Sequence, residues 1–131
     1  MAISGAVIVE LLGDQGNVVD YTVSDGTGIS KGDLLKFADP RTASVGAGAA
    51  AGIAAADKEA SDGAVNLGVY TYGIFDLQTN MVITAGNYVA ISSGNLIKAA
   101  TSADASSGLI LGQALETAAG SGDVIEVKVN L

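Results

Sequence analysis

The chain has no cysteine, no histidine and no tryptophan, one proline (Pro40) and one arginine (Arg41). Without cysteine there is no disulfide framework, no thiolate nucleophile and no zinc-finger ligand set. Without histidine the usual general base near neutral pH is missing, and so is the commonest transition-metal ligand. Positive charge is scarce: six Lys and Arg against fourteen Asp and Glu give a net charge of −8. With no basic cluster, such a chain repels a phosphate backbone, which argues against nucleic acid as a direct partner. Long apolar runs are missing as well. The longest weakly polar tract, residues 45–56, is mostly Ala and Gly, whereas a membrane span needs ~20 strongly apolar residues. The opening Met1-Ala2-Ile3-Ser4-Gly5 lacks the positive start of a secretory signal. The expectation is a soluble acidic protein that is not an enzyme, with no catalytic residues, no cofactor, no metal and no membrane partner.

What is present is small and β-like. A chain of 131 residues fits one domain at the usual ~100–200 residues each. Ala (22) and Gly (18) make up 40 residues, while Val, Ile, Leu and Phe together make up 36. The core is therefore lean, but large enough to fold. Val18 to Val23 is rich in β-branched residues between turn-forming flanks. From Ala64 to Leu77 the chain reads as one extended strand. It has Val65, Leu67, Val69, Thr71, Gly73 and Phe75 on one face and Asn66, Gly68, Tyr70, Tyr72, Ile74 and Asp76 on the other. The C-terminus alternates in the same way, with Val124, Glu126, Lys128 and Asn130 against Ile125, Val127, Val129 and Leu131. Ala54–Ala60 and Ala114–Ala119 have helix propensity, but both are short and sit between strand starts and Gly-rich turns, so strand–turn–strand is expected there.

The chain also matches itself. Ile29-Ser30-Lys31-Gly32-Asp33-Leu34-Leu35-Lys36-Phe37 aligns with Ile83-Thr84-Ala85-Gly86-Asn87-Tyr88-Val89-Ala90-Ile91. Ala51-Gly52-Ile53-Ala54 aligns with Leu111-Gly112-Gln113-Ala114, and Asp62–Leu67 answers Gly122–Val127. The three blocks keep their order, which points to internal duplication. The expected fold is all-β: a small compact barrel- or sandwich-like domain, 29–131, built from two related units, 29–77 and 83–131. An N-terminal arm with the first strands, 1–28, precedes it.

Candidate chemistry is thin. The stretches Gly46–Gly52 and Gly26–Gly32 resemble phosphate-binding loops only loosely, and neither carries the required glycine and lysine order. Asp57, Glu59 and Asp62 form the densest carboxylate group, without the ligand spacing of a calcium loop. Six aromatics in the whole chain are a poor platform for a glycosidase cleft flanked by two carboxylates. Ser30 and Lys31 are neighbours, and on a strand they point to opposite faces. The more informative surface is Tyr70, Tyr72 and Ile74. If both faces of their strand are buried, this face covers a partner subunit, or else both faces lie inside one barrel.

The order I-S-K-G-D-L-L-K-F, A-A-A-G-I-A-A-A-D-K-E, V-N-L-G-V-Y-T-Y-G-I-F-D-L, I-T-A-G-N-Y-V and L-G-Q-A-L-E-T-A with D-V-I-E-V-K-V-N-L resembles the capsid decoration, or cement, proteins of tailed bacterial and archaeal viruses. The resemblance covers about 29–131. It implies a β-rich subunit that forms a homotrimer on the outer surface of the virion capsid and ties neighbouring major capsid protein subunits together. It also implies an N-terminal arm that contacts the shell. Here that arm is Ala2 to about Leu12, with Ala2, Ile3, Val7, Ile8, Val9 and Leu11 as contact residues and Val7–Leu11 as a strand able to join a sheet edge. Two other readings compete. One is a subunit of a self-assembling β-rich filament, which Gly/Ala-rich chains with apolar terminal strands can form. The other is a small-molecule or calcium binder resting on Asp57, Glu59 and Asp62.

Overall fold

The computed structural model describes residues 3–13 and 18–131. Its strands are β1 (Val7–Leu11), β2 (Val18–Thr22), β3 (Leu34–Ala38), β4 (Thr42–Val45), β5 (Ala50–Ala54), β6 (Asn66–Tyr70), β7 (Tyr72–Thr79), β8 (Tyr88–Ser93), β9 (Leu96–Ala99), β10 (Ile110–Ala114) and β11 (Val124–Asn130). A short helix, α1 (Ser102–Ser106), lies between β9 and β10. The strands close into two five-stranded barrels. The first runs β2-β4-β3-β5-β6, and the second runs β7-β9-β8-β10-β11, with β1 added alongside β7.

The two barrels share one wiring. In each, the first strand pairs in parallel with the third, β2 with β4 and β7 with β9. Every other pairing is antiparallel, including the closure of the first strand on the fifth. Gly32 and Gly86 occupy matching turns with φ of 95° and 94°, a left-handed conformation that favours glycine. The isolated bridges Ile29–Lys58 and Ile83–Ala118 also correspond. Both fourth strands carry a register shift, opposite Leu35/Lys36 in the first barrel and at Ile110/Gly112 in the second. At that point a Cβ on Gly52 would lie 2.2 Å from Tyr70 O, and one on Gly112 would lie 2.2 Å from Lys128 O. A bulge beside a side-chain-free residue lets the strand bend and lets the neighbouring backbone close in, which small barrels need.

Alternation from Asn66 to Thr79 is unbroken, with odd-numbered residues from Leu67 onward buried and even-numbered ones less so. The chain nevertheless changes barrel at Thr71: β6 completes the first, and β7 opens the second. Strand pairing thus places β7, whose residues up to Leu77 lie in the expected unit 29–77, among strands of the C-terminal half. Ala54–Ala60 and Ala114–Ala119 contain no helix. α1 instead starts at Thr101, whose side chain accepts from Asp104 N–H while the Asp104 carboxylate accepts from Thr101 N–H. This reciprocal cap satisfies two amides that the helix leaves unpaired.

Two apolar clusters fill the molecule. Val23, Ile29, Leu35, Ala43, Ala51, Ala54, Leu67 and Val69 belong to the first barrel alone. The larger cluster holds Phe75, Leu77, Ile83, Val89, Ile97, Leu111 and Val127 of the second barrel together with Leu34 and Ile53 of the first. Leu34 and Ile53 are cross-strand partners, so one rung of the first barrel turns toward the second. Tyr70 packs on the same cluster, 5.8 Å from the Phe75 ring. A polar clasp lies beside this joint. In the β8–β9 hairpin, Gly94 and Asn95 have φ of 56° and 66°, the two-residue turn that matches strand twist. Asn95 Oδ1 accepts from Leu34 N–H at 2.9 Å, and its Nδ2 donates to Asp33 Oδ1 at 2.9 Å and to Ser4 O at 3.0 Å. One side chain therefore holds the second barrel, the first barrel and the start of the arm. Asn95→Gly keeps the turn conformation and removes these bonds. It should lower unfolding free energy by ~1–3 kcal/mol, measured by denaturant titration.

Candidate functional site

The residues that could suggest chemistry are occupied in holding loops. Ser30 N–H donates to Asp33 Oδ2 and Lys31 N–H to Asp57 Oδ1, so Ser30 and Lys31 sit in a braced turn before β3. A Cβ on Gly46 or Gly48 would lie within 3.4–3.6 Å of the Lys36 side chain, so this glycine stretch, which connects β4 to β5 across β3, folds over Lys36 of β3. Asp57, Glu59 and Asp62 do not converge on an empty centre. Lys58 lies between them and is buried, its Nζ donating to Asp25 O (2.9 Å), Glu59 O (3.0 Å) and Asp62 Oδ1 (3.3 Å). Asp25 Oδ1 is 3.6 Å away. A buried ammonium is tolerated only when its protons and charge are met in this way. Asp62 also accepts from Ala64 N–H and Glu59 N–H. The Ala64 amide foremost, with Lys58 and Glu59 N–H, outweighs burial and holds the Asp62 carboxyl below the ordinary value of 3.8. In the second barrel the position matching Lys58 is Ala118, and the loop is held instead by Ala119 N–H donating to Asp123 Oδ2.

The structure brings together three acids that spacing along the chain did not reveal. Asp76 on β7 faces Glu126 on β11 as a cross-strand pair, and Glu116 Oε1 accepts from Glu126 N–H at 2.8 Å. Carboxylate oxygens of all three lie within 4.8 Å of one another. The alternation of β7 and β11 puts Asp76 and Glu126 on outward faces, but only the strand register makes them neighbours. Facing like charges destabilise a sheet modestly, so this patch is an acidic stretch of surface.

The arm has more to offer a partner. Ala6 N–H donates to Gly32 O at 2.8 Å, and Ile3 N–H donates to Gln78 Oε1 at 3.3 Å. These bonds and the Asn95 clasp fix the start of β1, which then pairs with β7 from Val7↔Asp76 to Leu11↔Gly73. Leu11 packs on the larger core, but Val7, Ile8 and Val9 are exposed, and the register skips at Val9. Among the described residues no strand pairs with the other edge of β1. An exposed apolar strand with a free edge is a template for another chain. Ala2 lies outside the described residues. Of the tyrosine face, Tyr70 is half-buried at the barrel joint. Tyr72 and Ile74 are half-buried on the outside of β7, next to β1, with Lys128 Nζ 5.8 Å from the Tyr72 ring.

A family model described as phage cement protein matches residues 13–130. The chain belongs to the phage cement protein family. The matched span takes in both barrels and leaves β1 outside it. Membership in this structural family implies a place on the virion capsid and binding to capsid proteins. No curated protein matches the chain.

Two outcomes follow for this cement protein from the Lys58 node and the acids near it. Lys58→Met removes the ammonium from two carbonyls and from two carboxylates that keep backbone donors, and should cost ~1–3 kcal/mol of stability. Asp62 and Asp104 both have lowered folded-state values, the latter chiefly through Thr101 N–H. The unfolded chain therefore takes up protons first as pH falls, and the stability these carboxylates confer is complete above pH 3.8 and is lost below it, through their folded values. Melting curves should fall below that pH, with a shallower fall in Asp62→Asn.

Proposed function

We propose that this cement protein binds the outer face of an icosahedral head and stabilises the contacts between major capsid subunits. The observation that carries this reading is β1: an apolar strand with a free edge and three exposed aliphatic side chains, paired on its other side with β7 of the second barrel. Ile3, Val7, Ile8, Val9 and Leu11, with Ala2 preceding them, are the residues assigned to the shell. Pairing a capsid strand with β1 would satisfy its unpaired backbone groups and cover Val7, Ile8 and Val9 in one step. Burying aliphatic side chains of this size is worth ~1.5–3 kcal/mol each when complete, and capsid symmetry multiplies a modest gain over many copies. Tyr72 and Ile74, on the adjoining strand, are assigned to contacts between copies in a homotrimer, while Tyr70 serves the joint between the barrels. The surplus of acidic residues suits a position outside the shell, away from packaged DNA.

The test uses heads assembled without the protein. Adding the intact chain should raise the temperature at which the heads lose their contents. Val9→Asp places a charge on the exposed edge without touching either core, and should weaken head binding at least tenfold, about 1.4 kcal/mol, with the melting temperature of the free protein unchanged. Wild-type binding from Val9→Asp would remove β1 from the docking surface. Filaments formed by the protein alone, seen by electron microscopy, would favour self-assembly over head binding.

A further inference from the structure

The second barrel carries a feature that cement binding at β1 does not use. A cleft of about 430 Å³ opens beside Tyr88 on β8, walled by Asn87, Thr101, Ser102 and Ile110. A second, of about 200 Å³, shares Tyr88 and Ile110 and continues over β10 and β11 to Gln113, Lys128 and Asn130. Register explains the juxtaposition. Tyr88 is the cross-strand partner of Gln113, and Gln113 is the partner of Lys128, so the three side chains form one row across three adjacent strands. β7 and β11 separate β8 and β10 from β1.

Three properties of this row define what could occupy it. Tyr88 is 58% exposed, the highest value among the exposed large apolar side chains of the described residues. Its ring stands between two hollows with its apolar body uncovered. The polar groups around it are mainly uncharged amides and hydroxyls. Gln113 Nε2 donates to Gly86 O at 3.0 Å, which fixes that amide, while the side chains of Asn87 and Asn130 bond to no other described residue. Amides offer donors and acceptors together. Finally, in a chain of net charge −8, the two clefts contain one lysine and no carboxylate.

These properties exclude several ligand classes. β8 and β10 are each paired on both sides, so a peptide cannot join as a strand. One lysine is too little charge for a nucleic acid backbone. A flat ring with an apolar face and a rim of hydroxyls fits an aromatic platform bordered by amides, and a negative substituent on it fits Lys128. We propose that the Tyr88 clefts form a saccharide-binding site for glycans that carry a carboxylate. The virion-bound protein would then display a sugar-binding surface on a face separate from the one that grips the head.

The full-length free protein, probed on an array of sialylated, uronate-containing and neutral oligosaccharides, tests this without capsids. Binding to acidic members is expected, weakened about tenfold or more in Tyr88→Ala. Lys128→Met should remove the preference for acidic over neutral members. Tyr88→Ala should retain wild-type head binding, and the exposure of Tyr88 leaves folding unaffected, which a melting curve checks. An array with no binding, binding to neutral sugars alone, or acidic binding that survives Tyr88→Ala overturns the proposal. Loss of head binding in Tyr88→Ala also overturns it, by assigning the clefts to the capsid contact.

Discussion

Leu34 and Ile53 belong by hydrogen bonding to the first barrel and by packing to the core of the second. Swinging one barrel away from the other would expose both side chains, at ~1.5–3 kcal/mol each, and would break the three bonds of Asn95. Two small barrels, the first with a lean interior in which Ala43, Ala51 and Ala54 take core positions, thereby become one body with a shared apolar centre. Small domains bury too little surface to be robust alone, and fusing two cores is one remedy. The last residue takes part as well, since Leu131 N–H donates to Thr71 O at the crossing between the barrels.

Hydrogen bonds at this joint also anchor the arm. β1 begins where Asn95, Gly32 and Gln78 hold residues 3–6, so its free edge is presented in a fixed direction. A strand ordered before binding loses less entropy on binding than a loose tail does. On β8, β10 and β11 the row Tyr88–Gln113–Lys128 depends on the register that follows the shift between Ile110 and Gly112. The two barrels also differ within one wiring. The first braces its last loop with a buried Lys58 and partly exposed acids, and the second braces the matching loop with Ala118 and a single carboxylate.

Much of this was legible in the residues. Alternation in β7 and β11 identified the buried face, because side chains on an extended chain switch sides at every step. The paired Gly32/Gly86 and Gly52/Gly112 blocks marked positions where the backbone needs a positive φ or a close neighbour. Val7–Leu11 read as a strand able to join a sheet edge of the shell; in the fold it is a strand, and the edge it joins is the chain's own β7. Other features were not legible. Ala64–Leu77 looked like a single strand because its alternation never breaks, yet the chain changes barrels at Thr71. Asp57, Glu59 and Asp62 read as a turn without calcium-loop spacing, but nothing local shows that Lys58 is buried beside it with its ammonium on Asp62 and Asp25. The acidic group Asp76, Glu116 and Glu126 spans 50 residues of sequence and exists only through pairing. Thr101 with Asp104 was a readable cap, and Gly94-Asn95 a readable hairpin turn, and both were missed.

By itself, then, the amino-acid order determined that this is an all-β protein without cysteine or histidine, built from similar halves. Those properties depend on residue type, local period and turn chemistry, which act over a few residues. Tertiary structure alone decided which strands share a barrel, that Leu34 and Ile53 cross into the neighbouring core, that Lys58 is buried, and which side chains stand in one row outside. Each of these depends on contacts between segments far apart in sequence, where pairing register and shared burial choose among alternatives that local preferences leave equal.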